Sequence, residues 1–271
     1  MQTASRAQLK EIRELMREKR SRDETGLFVA EGEKIVRDML AKKNEVCYVL
    51  AARSFLSGEE GEKGLFLKAP GQTVPLFEID DKSFETISSL RNSQGILAVA
   101  KKRTWANAPA GSGRLSVLCD GLQDPGNLGT IIRTSAALGA DRVLLSGETA
   151  DAYNPKVVRA SAGAVLDIPI CICSPGDIDR LKAEGYSLLV SRVTEEGAED
   201  ISKIRTFPKK CILAFGAEGS GVSPEISVKA DMFFSVPMNK TIESLNVTAA
   251  AAIAIYLVTR GTGEGNEKSA N

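Results

Sequence analysis

The 271-residue sequence contains no histidine. Ser-His triads, H-E-x-x-H zinc sites and every imidazole general base are thereby excluded, so any proton transfer must use another side chain. Cysteine is sparse and unpaired in pattern: Cys47, Cys119, Cys171, Cys173 and Cys211 form no C-x-x-C motif. These are expected to be buried, reduced thiols, and no metal site or disulfide framework is expected. Long apolar runs are also missing, none approaching the ~18 residues needed to cross a bilayer. The opening "MQTASRAQLKEIRELMREKR" is charged, unlike a signal peptide. A cytoplasmic protein without a membrane partner is the expectation. Net charge is zero, from 35 Lys and Arg against 35 Asp and Glu. The front is nonetheless slightly basic: residues 1–107 hold 19 Lys and Arg against 16 Asp and Glu, leaving 16 against 19 for the remainder. Arg6, Lys10, Arg13, Arg17, Lys19, Arg20 and Arg22 outnumber Glu11, Glu14 and Glu18. That excess is suited either to tracking a phosphate backbone or to a solvated helix face with i, i+4 pairs.

What is present is a two-part α/β pattern. Residues 1–102 alternate short helical and strand-like stretches, with a helix from about Gln8 to Lys19, another around Gly32 to Lys42, a strand at Val46 to Leu50 and a final strand "GILAVAKK". "RTWANAPAGSG", residues 103–113, is rich in Ala, Pro, Gly and Ser and is expected to be a linker. Residues 114–262 follow as a second domain, and 263–271 as a polar tail. In the second domain "LSVLCD", "RVLLSG", "DIPICIC", "YSLLVSR", "KCILAFG" and "MFFSVPM" are continuous apolar runs separated by helical ones. Such runs predict a mostly parallel sheet covered on both faces.

Ligands in parallel α/β sheets gather at the carboxyl ends of strands, which singles out three loops. In "LCDGLQDPGNLGTIIRTSAALGA" a strand runs into Asp120, with Asn127 expected as the helix N-cap and Gly139 at the helix C′ position. It matches neither G-x-G-x-x-G nor a Walker loop. Arg133 stands out in an otherwise apolar helix, serving either a ligand or an ion pair with Asp120 or Asp124. In "ILAFGAEGSGVSPEI" the glycines Gly216, Gly219 and Gly221 surround Glu218 and permit positive φ and close backbone approach. Ser223 and Pro224 suit N-cap and N1 of a short helix. A plain turn with a solvated Glu218 is the competing reading. In "FFSVPMNKTIESLNVTAAAAIAIYLVTR" the strand gives way to a polar loop, then Ser244-Leu245-Asn246 opens an alanine-packed helix. Taken alone, Ser244 and Asn246 read as helix-capping residues.

In order and spacing the three loops resemble the signature motifs of the SpoU, or TrmH-type, RNA 2′-O-ribose methyltransferases of the SPOUT class. "DPGNLGTIIRTSAALGA" is similar to the first motif, "FGAEGSGVSPEI" to the second and "VPMNKTIESLNVTAAAAIAIY" to the third. "FVAEGEKIVRDML" and "SQGILAVAKK" resemble the ends of the small ribosomal-protein-like α/β domain that binds RNA in many members.

The resemblance implies an α/β SPOUT domain with a mostly parallel sheet and a deep C-terminal trefoil knot, working as a homodimer. S-adenosyl-L-methionine is the implied cofactor, and structured RNA the implied substrate, ribosomal RNA ahead of transfer RNA. By the same resemblance Arg133, Asn127, Glu218, Ser244 and Asn246 are the implied catalytic set. Gly216, Val236, Met238 and Leu245 are the implied cofactor wall, and no metal is implied. Two other readings stay open: base methylation, and a non-catalytic RNA-binding or assembly factor on the same fold.

Overall fold

The computed structural model describes residues 2–42, 45–58, 74–103, 105, 113–193, 196–239 and 244–261. The expected linker is covered only at Arg103, Trp105 and Gly113; the expected tail, 263–271, and part of the polar loop after Met238 lie outside the described residues. Two compact units emerge: Met1–Thr104 with Asp151–Leu166, and Trp105–Ala150 with Asp167–Asn271.

The first unit opens with β1 (Gln2–Thr3), α1 (Arg6–Arg17), α2 (Lys19–Thr25), β2 (Leu27–Glu31) and α3 (Glu33–Ala41). It continues through β3 (Val46–Ala52), α4 (Arg53–Ser57), β4 (Leu76–Ile79), α5 (Asp81–Ile87) and β5 (Ile96–Lys101). The strands form a mixed sheet in the order β1-β4-β3-β5-β2. Ser5 starts α1 through a reciprocal capping box with Gln8, and Asp80 starts α5 by accepting from the Ser83 amide. Helical spacing then brings Ile12 and Leu15 of α1 onto Val29, Leu50, Leu97 and Val99 of the sheet. Burying each such side chain contributes roughly 1.5–3 kcal/mol.

The second unit begins with β6 (Leu115–Asp120), α6 (Pro125–Ala137) and β7 (Arg142–Ser146), after which α7 (Pro155–Ala160) belongs to the first unit. The expected division at residues 103–113 ignored this return. Its cause is a set of long-range contacts invisible in local pattern. Arg22, counted above among the exposed basic residues, is 1% exposed and pairs with Asp151 at 2.7 Å. Its Nη1 also donates to the Leu15 carbonyl at 2.6 Å. The Tyr153 ring packs on Phe28 with centroids 5.0 Å apart. Arg22 is therefore withdrawn from any phosphate-tracking surface, because a buried guanidinium must be paired.

The second unit resumes with β8 (Ile170–Ile172), α8 (Pro175–Ala183), β9 (Ser187–Ser191), β10 (Glu199–Asp200), β11 (Cys211–Gly216), α9 (Pro224–Ser227), β12 (Met232–Ser235) and α10 (Val247–Arg260). Its sheet runs β10-β12-β9-β11-β6-β7-β8, and every pairing is parallel. All residues of β6, β7 and β11 are buried, as continuous apolar runs require when both faces are covered. From β6 the chain adds β7 and β8 on one side, then crosses to β9, and β11 inserts between β9 and β6. The strand order reverses there, which places a crevice at the carboxyl ends of β6, β9 and β11.

Candidate functional site

The turn from β6 to α6 is built by capping, with one change from the sequence expectation. Asp124, not Asn127, is the N-cap: its Oδ1 accepts from the Asn127 amide at 2.8 Å, and Pro125 takes N1. Pro125 suits N1 because its fixed φ is already helical and its missing N–H is not needed there. Asn127 thus sits at N3 with its side chain free of capping. At the far end Gly139 has φ +81, and Ala140 donates to the Ser135 carbonyl at 2.9 Å, closing a Schellman cap. Asp120 is 3% exposed and links three segments: it accepts from Ser146 Oγ and from the Ser223 amide, both at 2.7 Å. The ion pair offered above between Arg133 and Asp120 or Asp124 is not formed. Arg133 is exposed, and among the described residues it makes no hydrogen bond or ion pair.

Beyond β11 the chain folds back on itself. Gly221, with φ +69, donates to the Ala217 carbonyl at 2.8 Å. A Cβ on Gly216 would lie 1.9 Å from the Gly221 carbonyl carbon, so the close approach expected at Gly216 is to the chain's own backbone. Ser223 and Pro224 are N-cap and N1 of α9 as expected, although the Ser223 hydroxyl makes no capping bond. The turn lifts Glu218 to the surface. Asn127 Nδ2 donates to Glu218 Oε1 at 2.5 Å, and Asn246 Nδ2 donates to the same oxygen at 3.3 Å. Asn246 Nδ2 also lies 3.4 Å from Asn127 Oδ1. Asn246 is the N-cap of α10 as well, its Oδ1 accepting from the Thr248 amide at 2.8 Å. Capping and clustering are therefore joint roles of one side chain.

A cavity of about 540 Å³ opens beside this cluster. The four expected wall residues, Gly216, Val236, Met238 and Leu245, all line it, with Glu218, Ser244 and Asn246. Asn127 reaches it through Glu218, whereas Arg133 is absent from the lining. Sequence reasoning missed Ser191, Arg192 and Val193, which also line it. The signal was available, because "YSLLVSR" is a parallel strand whose carboxyl end falls at these residues. Volume, apolar walls and a few convergent polar groups suit one drug-sized ligand. Burial, followed by the charge of Asp120, pushes Cys119 up to about 12, and burial pushes Cys211 up to about 12. Among the described residues no group of three or more Cys, Asp and Glu side chains could hold a metal, and no helix is long and apolar enough to cross a membrane.

Fold and site define an α/β protein with a ligand-sized cavity at the carboxyl ends of parallel strands. A model of the SpoU rRNA methylase family matches residues 114–256, and the chain belongs to that family. An MRM3-like substrate binding domain matches residues 6–98. The 23S rRNA (guanosine(2553)-2'-O)-methyltransferase of Bacillus subtilis is 33% identical over 241 residues, 88% of this chain and 90% of that protein. A crystal structure of AdoMet-bound rRNA methyltransferase from Sinorhizobium meliloti is 29% identical with TM-score 0.80, covering 96% of this chain and 97% of that one. The SpoU methyltransferase AviRb from Streptomyces viridochromogenes in complex with AdoMet gives 26% identity and TM-score 0.78, covering 94% and 98%.

Proposed function

We propose that this protein transfers a methyl group from S-adenosyl-L-methionine to a ribose 2′-OH of structured RNA, ribosomal RNA in preference to transfer RNA, in the cytoplasm. The observation that carries the proposal is the convergence of Asn127, Glu218 and Asn246, from three separated segments, at the edge of a cavity walled by Gly216, Val236, Met238 and Leu245. When bound there, the cofactor would supply an electrophilic sulfonium methyl: the C–O bond to the ribose 2′-oxygen would form as the methyl–sulfur bond breaks to leave a neutral thioether, and the 2′-OH proton would pass to Glu218 Oε2 or to solvent. The apolar walls suit adenine, and the backbone groups of the Gly216–Gly221 turn suit its polar edges.

Asn127 and Asn246 hold Glu218 Oε1, which orients the carboxylate and leaves Oε2 open to a hydrogen bond from substrate. Ser244 lies at the same edge to contact RNA or cofactor. Among the described residues Arg133 has no hydrogen-bond or ion-pair partner, which supports a role toward RNA or a second copy. The contribution of a guanidinium there is electrostatic: binding phosphate and stabilising negative charge that develops on the 2′-oxygen. We further infer a homodimer and a trefoil knot in residues 114–262. The dimer reading draws support from α10, which packs on α6 and exposes a stripe of Ala249, Ile253, Tyr256 and Arg260. Residues 1–102 are assigned to RNA binding, in line with the family match there.

The test is incorporation of labelled methyl into ribosomal and transfer RNA, followed by nuclease digestion and mass analysis for a 2′-O-methylnucleoside. Arg133→Ala is expected to lose incorporation while retaining cofactor binding, and full activity in that variant would overturn its role. Binding of S-adenosylmethionine without methylation of any RNA would favour the non-catalytic reading.

A further inference from the structure

Arg192 is a charged cavity residue that the proposed mechanism leaves unused. It follows β9, and its amide donates to the Phe234 carbonyl at 2.8 Å, which fixes its backbone against β12. The guanidinium carbon lies 3.4 Å from the centroid of the Phe233 ring. Stacking of this kind satisfies the flat face of the cation and leaves its N–H edge available. Arg192 is exposed and lines the cavity, and among the described residues that edge has no hydrogen bond or ion pair. A held cation without an anion, in a wall built for a ligand, calls for an anionic group on that ligand.

We infer that Arg192 recognises the α-carboxylate of the bound cofactor and selects for a ligand that carries one. The inference rests on the proposed use of S-adenosylmethionine. Its charge pattern favours the assignment: sulfonium and ammonium are both positive, adenine and ribose are neutral, and the carboxylate is the single group a guanidinium attracts. A planar fork presents two parallel donors to a carboxylate, a geometry lysine lacks. RNA phosphate is the other anion at hand. The cofactor is favoured because Arg192 shares a cavity with Gly216, Val236, Met238 and Leu245.

The experiment is calorimetric titration of the full chain with S-adenosylmethionine and with its decarboxylated analogue, alongside Arg192→Met and Arg192→Lys. The native protein is expected to favour the carboxylated ligand by about tenfold or more. In Arg192→Met, which keeps an apolar stem on Phe233, that preference should fall to about one because only the carboxylated ligand weakens. Arg192→Lys should lie between. Equal weakening of both ligands would assign Arg192 a structural role and overturn the inference. So would unchanged discrimination, or loss of RNA affinity with cofactor affinity intact. A native protein that binds neither ligand would instead remove the proposed function itself.

Discussion

Glu31 and Glu218 each stand at the carboxyl end of a strand, one closing β2 in the first unit and the other two residues beyond β11 in the second. Glu31 is 7% exposed and spends both oxygens inside the fold. Its Oε1 accepts from the hydroxyls of Ser88 and Ser93, and its Oε2 from the amide and hydroxyl of Ser89. Glu218 is exposed and spends one oxygen, on the amides of Asn127 and Asn246. Among the described residues its Oε2 accepts nothing. A buried carboxylate must be satisfied by its own chain, whereas an exposed one can be oriented by neighbours and still keep an acceptor for something else. What separates a structural glutamate from a candidate functional one here is therefore unspent hydrogen-bonding capacity rather than residue type or position.

The comparison breaks most decisively in stability. Glu31→Ala strands the Ser88, Ser89 and Ser93 donors that shape the segment before β5, and is expected to cost about 3 kcal/mol. Hydrogen exchange at residues 88–95 should speed up and the urea midpoint should fall. Glu218→Ala removes an exposed side chain whose partners remain wetted, and should leave the midpoint unchanged within error. Equal losses in the two variants would show that the Glu218 cluster is structural.

Activity should rank the two in reverse. Glu218→Gln preserves shape and removes the charge, and is expected to lower methyl incorporation roughly 10- to 100-fold, the scale of losing one oriented group at a reacting centre. Cofactor affinity should change far less, because Gly216, Val236, Met238 and Leu245 are untouched. Incorporation within twofold of the native rate would reduce Glu218 to a rim residue.

Legibility in the sequence followed the range of the interaction. The strands of the second unit were readable because full burial on both faces leaves an unbroken apolar run, as in "LSVLCD" and "KCILAFG". β10 was not, since Glu199 and Asp200 carry no such signal. Capping was readable to within three residues: Asn127 was the expected cap of α6, and the observed one is Asp124, which places Pro125 at N1. The grouping of Gly216, Glu218, Val236, Met238, Leu245 and Asn246 was available through family resemblance, because residues so far apart in the chain share no local pattern. The pairing of Arg22 with Asp151 was not available at all: 129 residues separate them, and an arginine in a basic helical segment gives no sign of burial.

Asp231 is expected to give the smallest effect. It precedes β12, accepts from the Leu188 amide at 2.8 Å and pairs with Lys182 at 2.8 Å. Burial alone would raise its pKa. The Lys182 hydrogen bond, the Leu188 amide and the Lys182 charge together outweigh burial and hold it below the ordinary carboxylate value. A carboxyl that releases its proton more readily folded than unfolded contributes stability above its unfolded pKa. That contribution is lost as pH falls through the lower folded value. The window opens near pH 4 and extends downward. Because the side chain is 41% exposed, solvent screening should keep the contribution under about 1 kcal/mol. Asp231→Asn should therefore lower the urea midpoint slightly at pH 7 and flatten its fall below pH 4, with cofactor affinity at pH 7 unchanged. An acid slope identical to the native one would mean that the Lys182 pair adds nothing to folding. Weakened cofactor binding at pH 7 would show that this strand junction, like Asn127 and Asn246, is part of what orients the site.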